Sequence, residues 1–287
     1  MSIYYVDGKF VSSQKAVIPV DDLAVLRGYG ICDIMRTYRG KPYFLNEHID
    51  RLKQSAASTG IAFPWGKNKI KNIILKTLEK NMEWITGNGQ DMNEANIRIV
   101  ITGGSSPDFF TPAGSPRLIV LVTPMKKLPE EWYTKGVGVI TIEQERVMPD
   151  AKTTSYIPAA LALQKAKKNK AIEAIYVNAA GEVLEGTTSN LFAFSGSKLI
   201  TPAHGVLKGI TRKLILNLAS EMFSVEEKQI SRKELLEADE AFITGTNKGV
   251  VPVVQVDDSI IGNGKPGKNT LEIIKALNRH AMEFKES

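Results

Sequence analysis

At 287 residues, with 43% hydrophobic and 24% charged positions and a formal net charge of +6, the chain has material for two ordinary domains or one large one. Those proportions exclude a small stapled scaffold, a fibrous repeat and extensive disorder. The single cysteine, Cys32, allows no internal disulfide, and His48, His204 and His280 are too far apart in sequence for a ligand cluster, so no metal is expected.

Residues Met1 to Gly8 carry neither the basic start nor the apolar core of a leader, and no apolar run reaches the length of a membrane span. A cytoplasmic protein without a membrane partner is expected. The positive charge is mild and spread out; its densest run, Lys165 to Lys170, lacks interleaved aromatics and reads as a solvated helix face rather than a nucleic-acid surface. The balance does suit a small anionic ligand.

Residues 3 to 11 alternate around Asp7-Gly8 and predict a hairpin. From Asn46, a candidate N-cap, the spacing of Ile49, Leu52 and Ala56 predicts a helix over 47–59, and Ile70, Ile73, Ile74 and Leu78 predict another over 68–84. Strands follow at 96–102 and 117–123, around a Gly, Ser and Pro-rich loop. This half reads as α+β. The two prolines in Thr123 to Trp132 mark a linker, giving expected domains of 1–122 and 133–287 joined by residues 123–132. Beyond it, strands are predicted at 136–142, 173–177, 190–194, 198–201 and 241–244, and helices at 157–168, 210–223, 232–238 and 269–284.

Gly262-Asn263-Gly264-Lys265-Pro266-Gly267 fits the dinucleotide glycine string, and the stretch nearly matches a phosphate-binding loop. The hydroxyl such a loop needs after its lysine is replaced by Asn269, and the chain ends too soon for a βαβ unit. A nucleotide-binding protein using Gly262 to Lys268 is nevertheless the alternative from a different functional class. Hydrolase and metalloprotease motifs are absent.

Four short segments carry more. Lys152 follows a proline-marked break and leads into an apolar helix; Glu185 sits in Leu184-Glu185-Gly186-Thr187-Thr188-Ser189-Asn190 before an apolar strand. Gly209 precedes a helix whose first N–H groups could hold a phosphate, and Thr244-Gly245-Thr246-Asn247 closes a strand with hydroxyls and a glycine. Each alone reads as a surface lysine, a turn, a cap and another turn. Together, in this order, they supply what a pyridoxal phosphate site requires: an amine, a carboxylate for the ring nitrogen and a phosphate cup.

With Glu47-His48-Ile49-Asp50-Arg51-Leu52, similar to an E-H-x-x-R-L helix, the chain resembles the class IV aminotransferases over nearly its whole length. These fold-type IV pyridoxal phosphate enzymes include branched-chain and D-amino acid aminotransferases and aminodeoxychorismate lyase. The resemblance implies a two-domain α+β fold, with a small α/β N-terminal domain, a larger barrel-like C-terminal domain carrying the lysine, and the cofactor between them in a homodimer. It implies Lys152 as the Schiff-base lysine and proton carrier, and Glu185 as the partner of the pyridine nitrogen. Arg51, Ile210, Thr211 and Thr246 become the phosphate contacts, and Tyr156 the neighbour of the phenolic oxygen.

For the substrate the resemblance divides. An aromatic followed by glutamate, expected after the early glycine-rich turn, is not found, and that stretch leads instead to Arg36-Thr37. Ser106-Pro107-Asp108-Phe109-Phe110 lacks the arginine and histidine of the D-amino acid subgroup, and Arg98 matches a pocket arginine of the branched-chain subgroup. Arg27, Arg36 and Arg98 are the candidate carboxylate anchors. The expected reaction is amino transfer between a D-amino acid or branched-chain L-amino acid and a 2-oxo acid such as 2-oxoglutarate; the lyase is the alternative within the family.

Overall fold

The computed structural model describes residues 1–87 and 93–284; residues 88–92 and 285–287, which fall in the first and second expected domains, lie outside the described residues. The chain forms two compact units, residues 1–127 with 151–155, and residues 128–150 with 156–284.

The first unit begins with the hairpin β1 (Ile3–Val6) and β2 (Lys9–Ser12). Both turn residues, Asp7 at φ 44° and Gly8 at φ 96°, take the left-handed region that a two-residue hairpin needs. After α1 (Leu23–Arg27) come β3 (Gly30–Tyr38), β4 (Lys41–Pro42), α2 (Leu45–Thr59), α3 (Lys67–Thr86), β5 (Ala95–Thr102) and β6 (Leu118–Pro124). The sheet order is β2-β1-β6-β5-β3-β4, all antiparallel. Alternation sends Ile31, Met35, Ile97, Ile99, Ile101, Leu118, Val120 and Val122 into one core with Ile49, Leu52, Ile70 and Ile74 of the helices. Each such side chain contributes about 1.5–3 kcal/mol by burial. Asn46 is not the cap of α2: the helix opens two residues earlier than expected, after Phe44 at φ 57°, which places Asn46 inside the first turn.

The second unit contains α4 (Glu131–Thr134), β7 (Val137–Glu143), α5 (Ile157–Lys168), β8 (Glu173–Val177), β9 (Glu182–Gly186), β10 (Asn190–Ser195), β11 (Lys198–Thr201) and α6 (Ile210–Ser220). It continues with β12 (Ser224–Glu227), β13 (Ile230–Ser231), α7 (Arg232–Leu236), β14 (Glu240–Gly245), β15 (Gly249–Val256), β16 (Ser259–Ile260) and α8 (Lys268–Glu283). Nine strands follow the order β12-β11-β10-β14-β15-β7-β8-β9-β13, with β16 paired to β15. The sheet curls as a half-barrel around Val139, Ile175, Val183, Leu191, Ile243 and Val253. Pro252 weakens β15 as a strand in the sequence. In the fold it lies one residue before the β7 ladder starts at Val253, so its missing N–H costs that ladder nothing.

Residues 151–155, expected with the second domain, pack with the first unit. Cys32 N donates to Lys152 O at 2.8 Å, Thr154 N donates to Gly30 O at 2.9 Å, and Ile31 bridges Thr153. No described helix is long and apolar enough to cross a membrane.

Candidate active site

In the first unit, Lys152 is held through its backbone: its carbonyl by β3, its N–H by Ser55 Oγ of α2 at 3.1 Å. Gly30 keeps this contact close, since a Cβ there would lie 2.9 Å from Thr154 Oγ1. One turn of α2 presents His48 and Arg51, three residues apart, to the fully buried Asp33 of β3. Arg51 donates from Nε to Asp33 Oδ2 at 2.8 Å and from Nη2 to Oδ1 at 2.6 Å, a two-pronged contact that fixes the guanidinium plane. His48 Nδ1 lies 2.7 Å from Asp33 Oδ1. Burial opposes ionisation of Asp33, but the charge of Arg51 and the hydrogen bonds from Arg51 and His48 outweigh it and hold the carboxyl well below the usual range. Facing a carboxylate, Nδ1 of His48 carries a proton, and burial lowers the imidazole's own affinity for a second one.

Burial pushes the neighbouring Cys32 thiol up, while Lys152, Arg98 and Arg51 pull it down. Three of the residues singled out in the sequence therefore act on one point. Cys32, Ile34 and Arg36 alternate onto the sheet face opposite the helices, and the pairing of Ile34 with Arg98 and Arg36 with Asn96 makes Arg36 and Arg98 diagonal neighbours on that face. Arg98 is exposed. Arg36 is only 9% exposed; its guanidinium lies 4.1 Å from the Tyr38 ring and has no carboxylate partner among the described residues. A buried cation without an acid is costly, and Arg36 Nε makes a long contact of 3.4 Å with Thr37 O. Within the chain Arg27 is elsewhere, ending α1 with its guanidinium 5.7 Å from the Phe110 ring.

In the second unit, Glu185 stands on β9, 4% exposed. Arg146 Nη1 donates to its Oε1 at 3.0 Å; Leu207 N and Asn190 Nδ2 donate to its Oε2 at 3.0 and 3.3 Å. Asn190 Nδ2 also donates to Leu207 O at 2.8 Å, tying the acid to the segment that enters α6. The N-cap of α6 is Gly209, without a side-chain acceptor, so the N-terminal N–H groups of Ile210 and Thr211 begin a helix with no built-in anion. A Cβ on Gly209 would lie 2.2 Å from Asn190 Oδ1. Thr244 pairs with Asn190 across β14 and β10, which sets the Thr246 turn beside the same strand end. There Thr244 Oγ1 and Asn247 Oδ1 are buried and, among the described residues, lack hydrogen-bond partners. Tyr156 caps α5 and is 38% exposed.

Arg146, Asn190, Asp33 and His48 escape sequence reasoning because their roles depend on partners brought together by the fold; the histidine of the E-H-x-x-R-L pattern was the only signal for any of them. Among the described residues no group of three or more His, Cys, Asp or Glu could hold a metal. The glycine-rich stretch at 262–267 is a cap: Glu240 accepts from Asn269 N and Thr270 N at 3.0 and 2.7 Å, so the start of α8 already holds a carboxylate where a nucleotide phosphate would have to bind.

The sequence profile described as Amino-transferase class IV matches residues 30–256. The chain belongs to the class IV aminotransferases. It is an enzyme, a transaminase, of a family that uses pyridoxal phosphate. It is 34% identical over 279 residues, 94% of this chain and 93% of the relative, to a Methanocaldococcus jannaschii protein provisionally named as a branched-chain-amino-acid aminotransferase. It is 30% identical over 284 residues, 96% of each, to the D-alanine aminotransferase of Bacillus licheniformis. The branched-chain aminotransferase of the thermophilic archaeon Thermoproteus uzoniensis, solved with norvaline, superimposes with a TM-score of 0.87 at 26% identity, covering 99% of this chain and 96% of the other.

Proposed function

We propose that this transaminase binds pyridoxal 5'-phosphate and moves an amino group between a D-amino acid or branched-chain L-amino acid and a 2-oxo acid such as 2-oxoglutarate. The observation that carries the cofactor reading is Glu185, fixed by Arg146, Asn190 and Leu207 N and tied through Asn190 to the start of α6. That arrangement offers a carboxylate for a ring nitrogen and helix N–H groups for a phosphate. Thr244 Oγ1 and Asn247 Oδ1, without partners among the described residues, and the close fit at Gly209 suit the same group.

When bound, pyridoxal phosphate supplies an aldehyde and a ring that accepts the electron pair left by a breaking Cα–H bond. Lys152 would provide the amine that holds the cofactor and, when freed, the base that moves the proton at the substrate Cα. Glu185 keeps a proton on the ring nitrogen, and Arg146 and Asn190 keep Glu185 aimed. Arg51, the N–H groups of Ile210 and Thr211, and Thr246 would hold the phosphate, and Tyr156 would serve the phenolic oxygen. Arg36 and Arg98 anchor substrate carboxylates, a role supported by their shared face and by the absence of an acid beside the buried Arg36 among the described residues. The working form is a cytoplasmic homodimer. The lone thiol of Cys32, buried and unlinked, suits a reducing compartment, and the exposed Val17, Val20, Val25 and Leu26 suit burial by a second copy.

The test is the visible spectrum of the protein with pyridoxal phosphate, followed by separate additions of D-alanine, D-glutamate, L-leucine and L-glutamate. A cofactor band that bleaches with D donors assigns D-amino acid transamination; bleaching with L-leucine assigns the branched-chain reaction. No band in the wild-type protein overturns the cofactor reading. Sedimentation of the same sample reports the dimer.

A further inference from the structure

Glu173 opens β8 with its side chain fully buried. Three consecutive hydroxyls donate to it: Thr187 Oγ1, Thr188 Oγ1 at 2.8 Å and Ser189 Oγ at 3.0 Å. Ala174 N adds a contact at 3.2 Å, and Lys248 Nζ completes an ion pair at 2.5 Å. Burial would push this carboxyl up, but Lys248 and the hydroxyls outweigh it and keep it ionised.

The groups gathered on Glu173 belong to two segments already given roles. Thr187 to Ser189 join Glu185 to Asn190, and Gly186 N donating to Ser189 O at 2.7 Å makes the turn tight enough to bring Asn190 back against Glu185. A Cβ on Gly186 would lie 2.3 Å from Ser189 Oγ and 3.0 Å from Glu173 Cγ, so the turn is packed onto the carboxylate. Lys248 ends the turn between β14 and β15 that carries Thr246 and Asn247, with its N–H on Gly245 O at 3.1 Å and its carbonyl accepting from Tyr133 Oη at 2.8 Å. Its Nζ also donates to Thr188 Oγ1 at 2.7 Å, linking the two segments a second time. A buried ion pair is a poor source of net stability, because desolvation offsets its attraction; its strength is in specifying geometry.

We propose that Glu173 and Lys248 are positioning residues that lock the Glu185 turn and the Thr246 turn to each other, so that the ring-nitrogen acid and the phosphate turn keep one fixed spacing. The inference rests on the reading of these turns as the pyridoxal phosphate site. Its test compares wild type, Lys248→Met, Lys248→Arg, Glu173→Gln and the Glu173→Gln/Lys248→Met double variant. The readouts are the dissociation constant for pyridoxal phosphate by absorption titration, kcat and KM with whichever of D-alanine or L-leucine bleaches the wild-type band, and the melting temperature of the cofactor-free protein.

Loss of a supporting residue behind a binding group commonly costs 10- to 100-fold, so Lys248→Met and Glu173→Gln are each expected to weaken cofactor binding by roughly that factor and to lower kcat with donor KM little changed. Lys248→Arg restores part of both, and the double variant is no worse than the poorer single one. Cofactor affinity and kcat at wild-type values in Lys248→Met, with only the melting temperature lowered, would overturn the proposal by reducing the pair to a fold contact. Lys248 is 17% exposed, so its variants carry the test if Glu173→Gln does not fold. A wild-type protein without a cofactor band overturns the underlying site assignment instead, an outcome distinct from unaltered variants of a cofactor-binding wild type.

Discussion

Arg146 Nη1 lies 3.0 Å from Glu185 Oε1, joining residues 39 positions apart in an ion pair whose acid and arginine side chains are 5% and 23% exposed. The acid is therefore held on one oxygen by a charge and on the other by Asn190 and a backbone N–H.

Glu185→Gln is expected to bind cofactor and to lose at least about 100-fold in kcat, about 2.7 kcal/mol of barrier, because an amide cannot favour a proton on the ring nitrogen as a carboxylate does. Arg146→Met leaves the carboxylate but frees its direction, and hydrogen bonds to charged groups contribute about 1.5–3 kcal/mol, so a smaller loss of roughly tenfold or more is expected. Steady-state rates on the reconstituted proteins check the order; Arg146→Met losing more than Glu185→Gln would contradict it.

Arg36→Met and Arg98→Met should each raise KM for 2-oxoglutarate by roughly 10- to 100-fold, the worth of a lost charge-assisted carboxylate contact. If one variant affects only monocarboxylate donors and the other only dicarboxylate acceptors, the two arginines hold different carboxylates.

Gly209→Ala forces a Cβ to within 2.2 Å of Asn190 Oδ1. Either Asn190 or the first turn of α6 must move, at about 1–3 kcal/mol for the overpacking. Denaturant unfolding measures that loss, and cofactor titration should show weakened binding beyond it, since Asn190 bonds Glu185 and the first turn of α6 is a proposed phosphate contact.

The Asp33, His48 and Arg51 cluster makes stability depend on pH with a definite sign. His48 and Asp33 both have lowered proton affinity in the folded chain, so the unfolded chain binds more protons as pH falls and the folded state loses ground. Stability contributed by His48 is complete above about pH 6.5 and declines below it; that of Asp33 is complete above about pH 4 and is lost only further into acid. Denaturant melts from pH 8 to pH 4 should show the first decline, and His48→Asn, which keeps a donor where Nδ1 stands, should make it shallower. Asp33→Asn removes the buried partner of Arg51 and is expected to cost about 3–5 kcal/mol at pH 7.

The strand and helix pattern of the first unit was legible because Ile49, Leu52, Ile70 and Ile74 repeat with helical spacing and residues 96–102 alternate. The helix start at Gly209 was legible because a short motif carries its backbone context with it. Arg146 was not: its partner is 39 residues away, and nothing local distinguishes it from a surface arginine. Glu173 and Lys248 are hidden in the same way, 75 positions apart. β3 was missed because Asp33 and Arg36 interrupt its apolar pattern, and Asp33 is the residue that holds His48 and Arg51.

The fastening of residues 151–155 to β3 has a consequence for synthesis. All other described first-unit residues are made by Lys127, yet the Gly30 to Cys32 end of β3 gains these hydrogen bonds only when Lys152 and Thr154 emerge. At about 5–20 residues per second, the nascent chain carries that strand end without them for a second or more while the start of the second unit is being made. An open strand end recruits whatever extended chain is near. In this transaminase the natural recruit is the segment bearing Lys152, so the step that finishes the first sheet also installs the lysine.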